Sequence, residues 1–183
     1  MVNPASLGLS AAELAAACGE LQGWIGASVI DAVPLLTPPG SDDLLVVLQA
    51  NGGGKGFLHV APGGPRARVT LTATRFDAGA FARGPARDLL QRHLAGARLT
   101  HVATVPGERR CAFHFATNGG DRRLVVELFG ARGLWALLDA EANVVVLSRP
   151  VATDVRTLRP RDRYAPPPPS DAPRAEPPPR FAP

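Results

Sequence analysis

Alternation of apolar and polar residues with a period of two constrains this chain more than any other feature of its sequence. In the stretch 109–117, Cys111, Phe113 and Phe115 alternate with polar or small residues. Because successive side chains of a β-strand point to opposite faces of a sheet, this pattern is typical of a strand with one buried face. The chain is therefore expected to fold around a β-sheet.

Short β-rich runs separated by Gly, Pro and Asn clusters recur along most of the chain, which predicts two sets of antiparallel strands. The runs are 27–36, 44–50, 57–61, 67–73, 98–105, 109–117, 122–129, 134–138 and 143–147. The glycine-rich stretch 51–56 between two of them lacks the terminal Lys-Ser/Thr of a phosphate-binding P-loop. We interpret it as a flexible hairpin tip.

Two helices are predicted beside the strands. Ser10 and Glu13 have the spacing of a capping box, and apolar residues then recur at helical spacing up to Gly23, so Cys18 is expected to lie in the core. Proline at a first helical position and leucines at helical spacing predict a second helix over 85–95. The predicted fold class is α+β, mainly antiparallel β-sheet with two helices.

The length of 183 residues fits one domain followed by a tail. Two proline runs near the carboxyl terminus cannot pack a core, and they indicate an extended, disordered linker. We therefore place a domain at 1–160 and a Pro-rich tail at 161–183. A proline-motif ligand for another domain is the alternative interpretation of the tail.

Positive charge is concentrated in the middle of the chain. Residues 1–65 carry one lysine against five acidic residues, whereas residues 66–132 carry twelve arginines against five acidic residues, a balance of +7. Guanidinium groups bind phosphate bidentately and displace condensed counterions, so this stretch favours an anionic partner such as RNA. The alternative is a solvated arginine surface in a chain that hardly uses lysine.

Other classes of protein find little support in the sequence. The two cysteines lack paired metal-binding spacing and are too few for a disulfide framework, which favours a reducing, cytoplasmic setting. There is no apolar run long enough for a membrane span and no signal-peptide pattern. The serines show no nucleophile elbow, so we expect no catalytic residues, no metal and no cofactor.

Several segments, taken in order, resemble one known family. Residues 107–115, Gly-Glu-Arg-Arg-Cys-Ala-Phe-His-Phe, lie where that family has Asp-Arg followed by an alternating strand. Residues 9–14 with 20–26 are similar to its opening helix and Leu-x-Gly turn, and residues 67–72 are similar to its Arg-Ile-His-x-Thr strand. Residues 90–99 resemble its Leu-Arg-Lys-His-Leu helix, residues 125–130 its Ile-x-Glu-Leu-x-Gly strand and residues 161–166 its Arg-x-x-Tyr-x-Pro exit. The family is NFACT, the fibronectin-binding-protein-A-like factors of ribosome quality control, and the resemblance is to its N-terminal domain.

The resemblance implies a fold and a function. The fold is expected to be that of the NFACT N-terminal domain, which is similar to the N-terminal half of formamidopyrimidine-DNA glycosylases. The function is expected to be non-catalytic binding of the large ribosomal subunit and of tRNA at a stalled nascent chain held as peptidyl-tRNA. Full-length relatives use this contact for C-terminal alanine tailing.

The resemblance also implies site residues. The family's Asp-Arg pair is implicated in holding tRNA and the large subunit, so Glu108 and Arg109 take that role by position. A carboxylate beside a guanidinium can orient it for phosphate or ribose contacts. Arg68, Arg92 and His93 lie in the matched basic segments and complete the expected RNA-binding set. The alternative for Glu108 and Arg109 is an ion pair that merely closes a hairpin.

The chain departs from the family pattern at four positions. Glutamate stands at position 108 in place of aspartate, and Thr104 replaces a glutamine. Gln91 replaces the first basic residue of the Leu-Arg-Lys segment, and Leu134 replaces an asparagine.

Two other functions fit the sequence less well. A DNA glycosylase of the similar fold needs a proline amine followed by a glutamate at the start of the chain. This chain has Val2 and Asn3 at those positions. The family's older name raises a fibronectin-binding adhesion protein, against which the lack of an export signal argues.

Overall fold

A computed structural model describes residues 8–129 and 133–168 of the chain. These residues form two α-helices, two 3₁₀ turns and eleven strands. In chain order, the helices and strands are α1 Ala11–Leu21, β1 Ser28–Pro34, β2 Leu44–Gln49, β3 Lys55–Ala61, β4 Arg68–Thr72, α2 Pro85–Leu94, β5 Arg98–Thr104, β6 Arg110–Ala116, β7 Arg122–Glu127, β8 Leu134–Leu138, β9 Val144–Leu147, β10 Val151–Thr153 and β11 Arg156–Leu158.

Nine of the described strands form one antiparallel sheet in the order β4-β3-β2-β1-β5-β6-β7-β8-β9. Two meanders, β1 to β4 and β5 to β9, meet where Ser28 of β1 pairs with Arg98 of β5. The predicted fold class is therefore confirmed. Strands β10 and β11 form a separate hairpin that the sequence analysis missed, because three-residue strands are too short to show an alternating pattern.

The sheet folds over so that its two meanders enclose one core. Trp135 of β8 is buried, and its indole Nε1 donates a hydrogen bond of 2.7 Å to the backbone oxygen of Asp42, in the loop between β1 and β2. The inward residues of both meanders and the buried faces of both helices form a single apolar cluster. Neither helix of the described residues is long and apolar enough to cross a membrane.

The first helix begins as the sequence predicts. The Ser10 hydroxyl accepts from the backbone N–H of Glu13 at 3.2 Å, and the Glu13 carboxylate accepts from the backbone N–H of Ser10 at 2.7 Å. Cys18 is buried in the core, as expected. The helix ends at Leu21 and continues as a 3₁₀ turn over Gln22–Trp24.

The second helix is fixed to β1 by polar contacts. Leu90 and Leu94 enter the core, while Asp31 of β1 accepts a hydrogen bond from Gln91 and pairs with Arg87 at 3.6 Å. Gln91, which stands where the family has a basic residue, thus serves helix docking.

The outward face of the second meander is covered by the end of the domain. Leu158 packs there with Leu134 and Leu138. The following residues run along β9, where the backbone N–H of Val144 donates to the oxygen of Asp162 at 2.8 Å and that of Tyr164 donates to Ala142 at 2.8 Å. The packed domain therefore continues beyond residue 160, where composition placed its end. Residues 169–183, most of the predicted tail, lie outside the described part of the chain.

The glycine-rich stretch 51–56 joins β2 to β3 as expected of a hairpin, but its last glycine belongs to the strand and has a packing role. A Cβ on Gly56 would lie 2.7 Å from the ring of Trp24 and 3.0 Å from Leu71. These distances leave no room for a methyl group.

We predict that Gly56→Ala destabilises the fold by about 1–3 kcal/mol, because the added methyl group overpacks the contact with Trp24. Urea denaturation followed by tryptophan fluorescence would measure the loss. The matched control is Gly54→Ala, whose Cβ would meet nothing within 4 Å. Equal stabilities for the two variants would contradict the packing role.

Candidate nucleic-acid interface

The best-matched family segment forms the turn between β5 and β6. Gly107 adopts a left-handed φ of 70°, and the backbone N–H of Glu108 donates to the oxygen of Val105 at 3.0 Å. The oxygen of Arg109 accepts from the backbone N–H of Leu128 at 2.8 Å, just beyond β7. The turn that carries Glu108 and Arg109 is thus tied to the neighbouring strand.

Glu108 forms its ion pair with Arg110. The Oε2 of Glu108 lies 3.0 Å from Nη2 of Arg110. The carboxylate expected to orient Arg109 thus also holds the first residue of β6.

The outward face below this turn contains a buried carboxylate. Glu127 is fully buried and accepts two hydrogen bonds from Arg156, at 2.7 and 2.8 Å, and one from the Tyr164 hydroxyl at 2.7 Å. The guanidinium carbon of Arg156 lies 5.5 Å from the centre of the Tyr164 ring. Arg110 pairs with Glu127 across β6 and β7. We call Glu108, Arg110, Glu127, Arg156 and Tyr164 the carboxylate network.

The electrostatics of this network raise the pKa of two of its members, Tyr164 and Arg156. Burial, reinforced by the charge and hydrogen bond of Glu127, raises the pKa of Tyr164 well above its usual value, while nearby Arg110 opposes the rise. Burial alone would lower the pKa of Arg156, but Glu127 outweighs it and the pKa is raised. At neutral pH the phenol therefore stays protonated and donates to Glu127.

Three separate family-like segments converge in the network. Arg110 comes from 107–115, Glu127 from 125–130 and Tyr164 from 161–166. Arg156 was missed because it belongs to the short hairpin that sequence periodicity did not reveal. One signal pointed to it: a glutamate inside an apolar strand needs a buried cation as a partner.

Arg92 and His93 lie at the other end of β7. His93 Nδ1 accepts a hydrogen bond from Nε of Arg122 at 3.3 Å, and Arg92 is exposed. The Arg122 guanidinium also donates to the turn carbonyls of Gly119, Gly120 and Asp121 at 2.9–3.3 Å. Burial, then Arg122 and Arg92, lower the pKa of His93 although Asp139 opposes them, so the ring is neutral at neutral pH.

Arg68 lies in a cleft of about 440 Å³ between the two meanders. Arg66, Asp42 and Arg149 also line it, and Arg149 Nε lies 3.5 Å from the Asp42 carboxylate. Burial raises the pKa of Asp42, and Asp43 adds to the rise while Arg149 opposes it. The cleft therefore combines three arginines with two aspartates, Asp42 and Asp43.

The five predicted residues therefore fall into two groups. The cleft that contains Arg68 extends to Gly133, the residue before Leu134. Leu134 pairs with Glu127, which pairs with Arg110 next to the turn of Glu108 and Arg109. Arg68 therefore lies toward the same end of β7 as that turn. Arg92 and His93 lie near Arg122 at the start of β7. Since a strand rises 3.3 Å per residue, the ends of this six-residue strand are roughly 17 Å apart.

The remaining departures from the family pattern have structural roles. Leu134 is fully buried and pairs with Glu127 across β7 and β8. Thr104 ends β5 opposite Cys111. Within residues 8–129 and 133–168, no group of three or more His, Cys, Asp or Glu side chains is arranged to hold a metal ion.

Comparison with known proteins gives concordant results. The family model described as NFACT N-terminal and middle domains matches residues 11–178. An archaeal Rqc2 homolog, aRqcH of Methanocaldococcus jannaschii, is 29% identical over 119 residues, which cover 61% of this chain and 18% of that protein. The chain thus spans less than a fifth of this relative's length.

Solved structures share the fold. The N-terminal domain of the fibronectin-binding protein PavA from Streptococcus pneumoniae superimposes with a TM-score of 0.77 at 19% identity, covering 90% of this chain and 66% of that one. The N-terminal part of the fibronectin/fibrinogen-binding protein of Streptococcus suis gives 0.76 at 19% identity, covering 89% and 62%. Identities this low bear on the fold alone.

We predict that Glu127→Gln lowers the free energy of unfolding by about 3 kcal/mol, because it leaves the buried Arg156 guanidinium without a counter-charge. Chemical denaturation would measure the change. The matched control is Glu108→Gln, which removes a more exposed ion pair and should cost less than about 1 kcal/mol. A small, similar cost for both variants would show that the buried pair contributes little.

Tyr164 is the one tyrosine of the sequence, so its ionisation can be followed directly by phenolate absorbance. We predict no phenolate near pH 10 in the folded protein, whereas the unfolded chain titrates there. Because the pKa is raised in the folded state, the contribution of Tyr164 to stability is complete below about pH 10 and is lost at higher pH. An ordinary titration in the folded protein would contradict its burial against Glu127.

Proposed function

Since the chain belongs to the NFACT family, whose members act in ribosome quality control, we propose that it is a non-catalytic RNA-binding module. It docks on the large ribosomal subunit and on tRNA, at ribosomes that hold a stalled nascent chain as peptidyl-tRNA. The protein acts in the cytoplasm under this proposal. The proposal covers binding alone, because the chain spans 18% of the archaeal relative's length and alanine tailing belongs to longer proteins.

The observation that carries this proposal is the anchoring of the β5–β6 turn. Glu108 is held by Arg110, and the oxygen of Arg109 is bonded to Leu128 beside the buried carboxylate Glu127. A guanidinium on a fixed turn loses less conformational entropy when it binds phosphate than one on a mobile loop. The anchored turn therefore supports a role for Arg109 in phosphate contact.

The separation of the two groups supports a large, rigid anionic partner. Arg68, Glu108 and Arg109 lie toward one end of β7 and Arg92 and His93 lie toward the other, and the strand between them is roughly 17 Å long. Folded RNA presents phosphates over such distances, whereas a small anion reaches one group only. The balance of +7 in 66–132 supplies the long-range attraction.

The test is co-sedimentation of the full chain with large ribosomal subunits, with and without peptidyl-tRNA, over a range of salt concentrations. We expect the wild type to sediment with the subunit. Arg109→Ala should weaken binding and reduce the slope of log affinity against log salt by about one, as for one lost phosphate contact.

Arg75→Ala is the matched control, since this exposed arginine in the loop after β4 lies outside both groups. It removes the same charge, so its effect measures net charge alone. An Arg109→Ala slope equal to that of Arg75→Ala would refute a specific role for the turn. Failure of the wild type to bind the subunit would refute the proposed function.

A further inference from the structure

A row of basic side chains crosses three strands on the outward face of the second meander. His101 of β5 pairs with His114 of β6, which pairs with Arg123 of β7. The two imidazole rings lie 5.5 Å apart at an interplanar angle of 56°. Paired residues in an antiparallel sheet have Cβ atoms about 5 Å apart, so the guanidinium continues the row. None of the five residues expected from the sequence belongs to it.

A β-bulge creates this row. The pairing of β5 with β6 shifts between Leu99 and His101, and the extra residue is Thr100, whose hydroxyl donates to the oxygen of His114 at 3.1 Å. Leu99 and Val102 both face the core, which regular alternation does not allow. Without the bulge, His101 would share the inward face of Leu99. The irregularity therefore turns an imidazole outward onto His114.

The row begins at an exposed side chain, whereas the other end of its face is covered. At the other end of these strands the outward face is covered by Leu158 and Tyr164. His101 is exposed, whereas His114 and Arg123 are partly buried. Between the row and the carboxylate network lie the small side chains Ala103 and Ala112, paired across β5 and β6.

The charges of the row suit a nucleotide. Burial, then Arg123 and His101, lower the pKa of His114 against the opposing effect of Asp121, so this ring is neutral at neutral pH. A neutral imidazole can stack on a base without repelling the neighbouring guanidinium. Nε of Arg123 is buried and has no hydrogen-bond partner among the described residues. Arg123 supplies a fixed positive charge at the end of the row.

We propose that His101, His114 and Arg123 bind an unpaired nucleotide of RNA, with its base on the imidazole rings and its phosphate on Arg123. Aromatic rings that stack on bases and an adjacent cation for the backbone are the usual elements of single-strand recognition. This inference rests on the proposed function in that both require RNA as the partner. It adds a contact on a different face of the domain from the cleft, and one selective for unpaired RNA.

The test measures binding of the full chain to a labelled oligouridine and to an RNA duplex of the same length. The double substitution His101→Ala/His114→Ala should weaken oligouridine binding on the order of tenfold and leave duplex binding unchanged. Arg123→Gln should reduce the salt slope for oligouridine by about one. His114→Phe keeps a ring for stacking and should bind oligouridine nearly as well as the wild type.

Circular dichroism and a denaturation midpoint for each variant separate binding from folding. If the double variant unfolds, Arg123→Gln retains the test, because an unchanged salt slope for oligouridine would overturn the inference. Wild-type affinity of the double variant for oligouridine would overturn the inference, as would failure of the wild type to bind oligouridine. In either case, Arg109-dependent binding to the large subunit would leave the proposed function standing. Equal losses for oligouridine and duplex would also overturn the inference, because they would indicate a contact with the backbone alone.

Discussion

Much of the outward side of this fold depends on a buried carboxylate. Glu127 lies in the sheet with no exposed surface, and such a charge persists only when it is paired and hydrogen-bonded. Arg156 and Tyr164 satisfy that requirement, and they bring the hairpin β10–β11 and the chain after it onto the sheet. The carboxylate network extends through Arg110 to Glu108. The side chains that pair with the buried charge of Glu127 are therefore connected to the β5–β6 turn, where we propose the RNA contact.

Local patterns predicted most of the fold. The capping box at Ser10, the alternation around Phe113 and the proline that begins α2 each act over a few residues, and the structure contains the elements that they indicate. Contacts between residues far apart in the sequence were harder to predict. The hairpin β10–β11 has too few residues to show a period, and residues 161–164 look like tail by composition although hydrogen bonds to β9 hold them.

The candidate site was predictable only in part for the same reason. The resemblance led to Glu108 and Arg109, but the ion pair of Glu108 with Arg110 depends on the shape of the β5–β6 turn, which no local pattern indicates. His114 faces outward by simple alternation, whereas His101 does so through a bulge that no pattern in the sequence predicts. The contact of Arg122 with His93 depends on the packing of α2 beside the start of β7, which local patterns do not predict.

We propose above all that the anchored turn between β5 and β6 contacts RNA on the large ribosomal subunit. The most direct measurement is a cryo-electron microscopy structure of the full chain bound to that subunit carrying peptidyl-tRNA. In that complex we expect Arg109 to lie within hydrogen-bonding distance of an RNA backbone, with Glu127, Arg156 and Tyr164 packed beneath the turn. A complex in which this turn faces solvent while another surface holds the ribosome would contradict it.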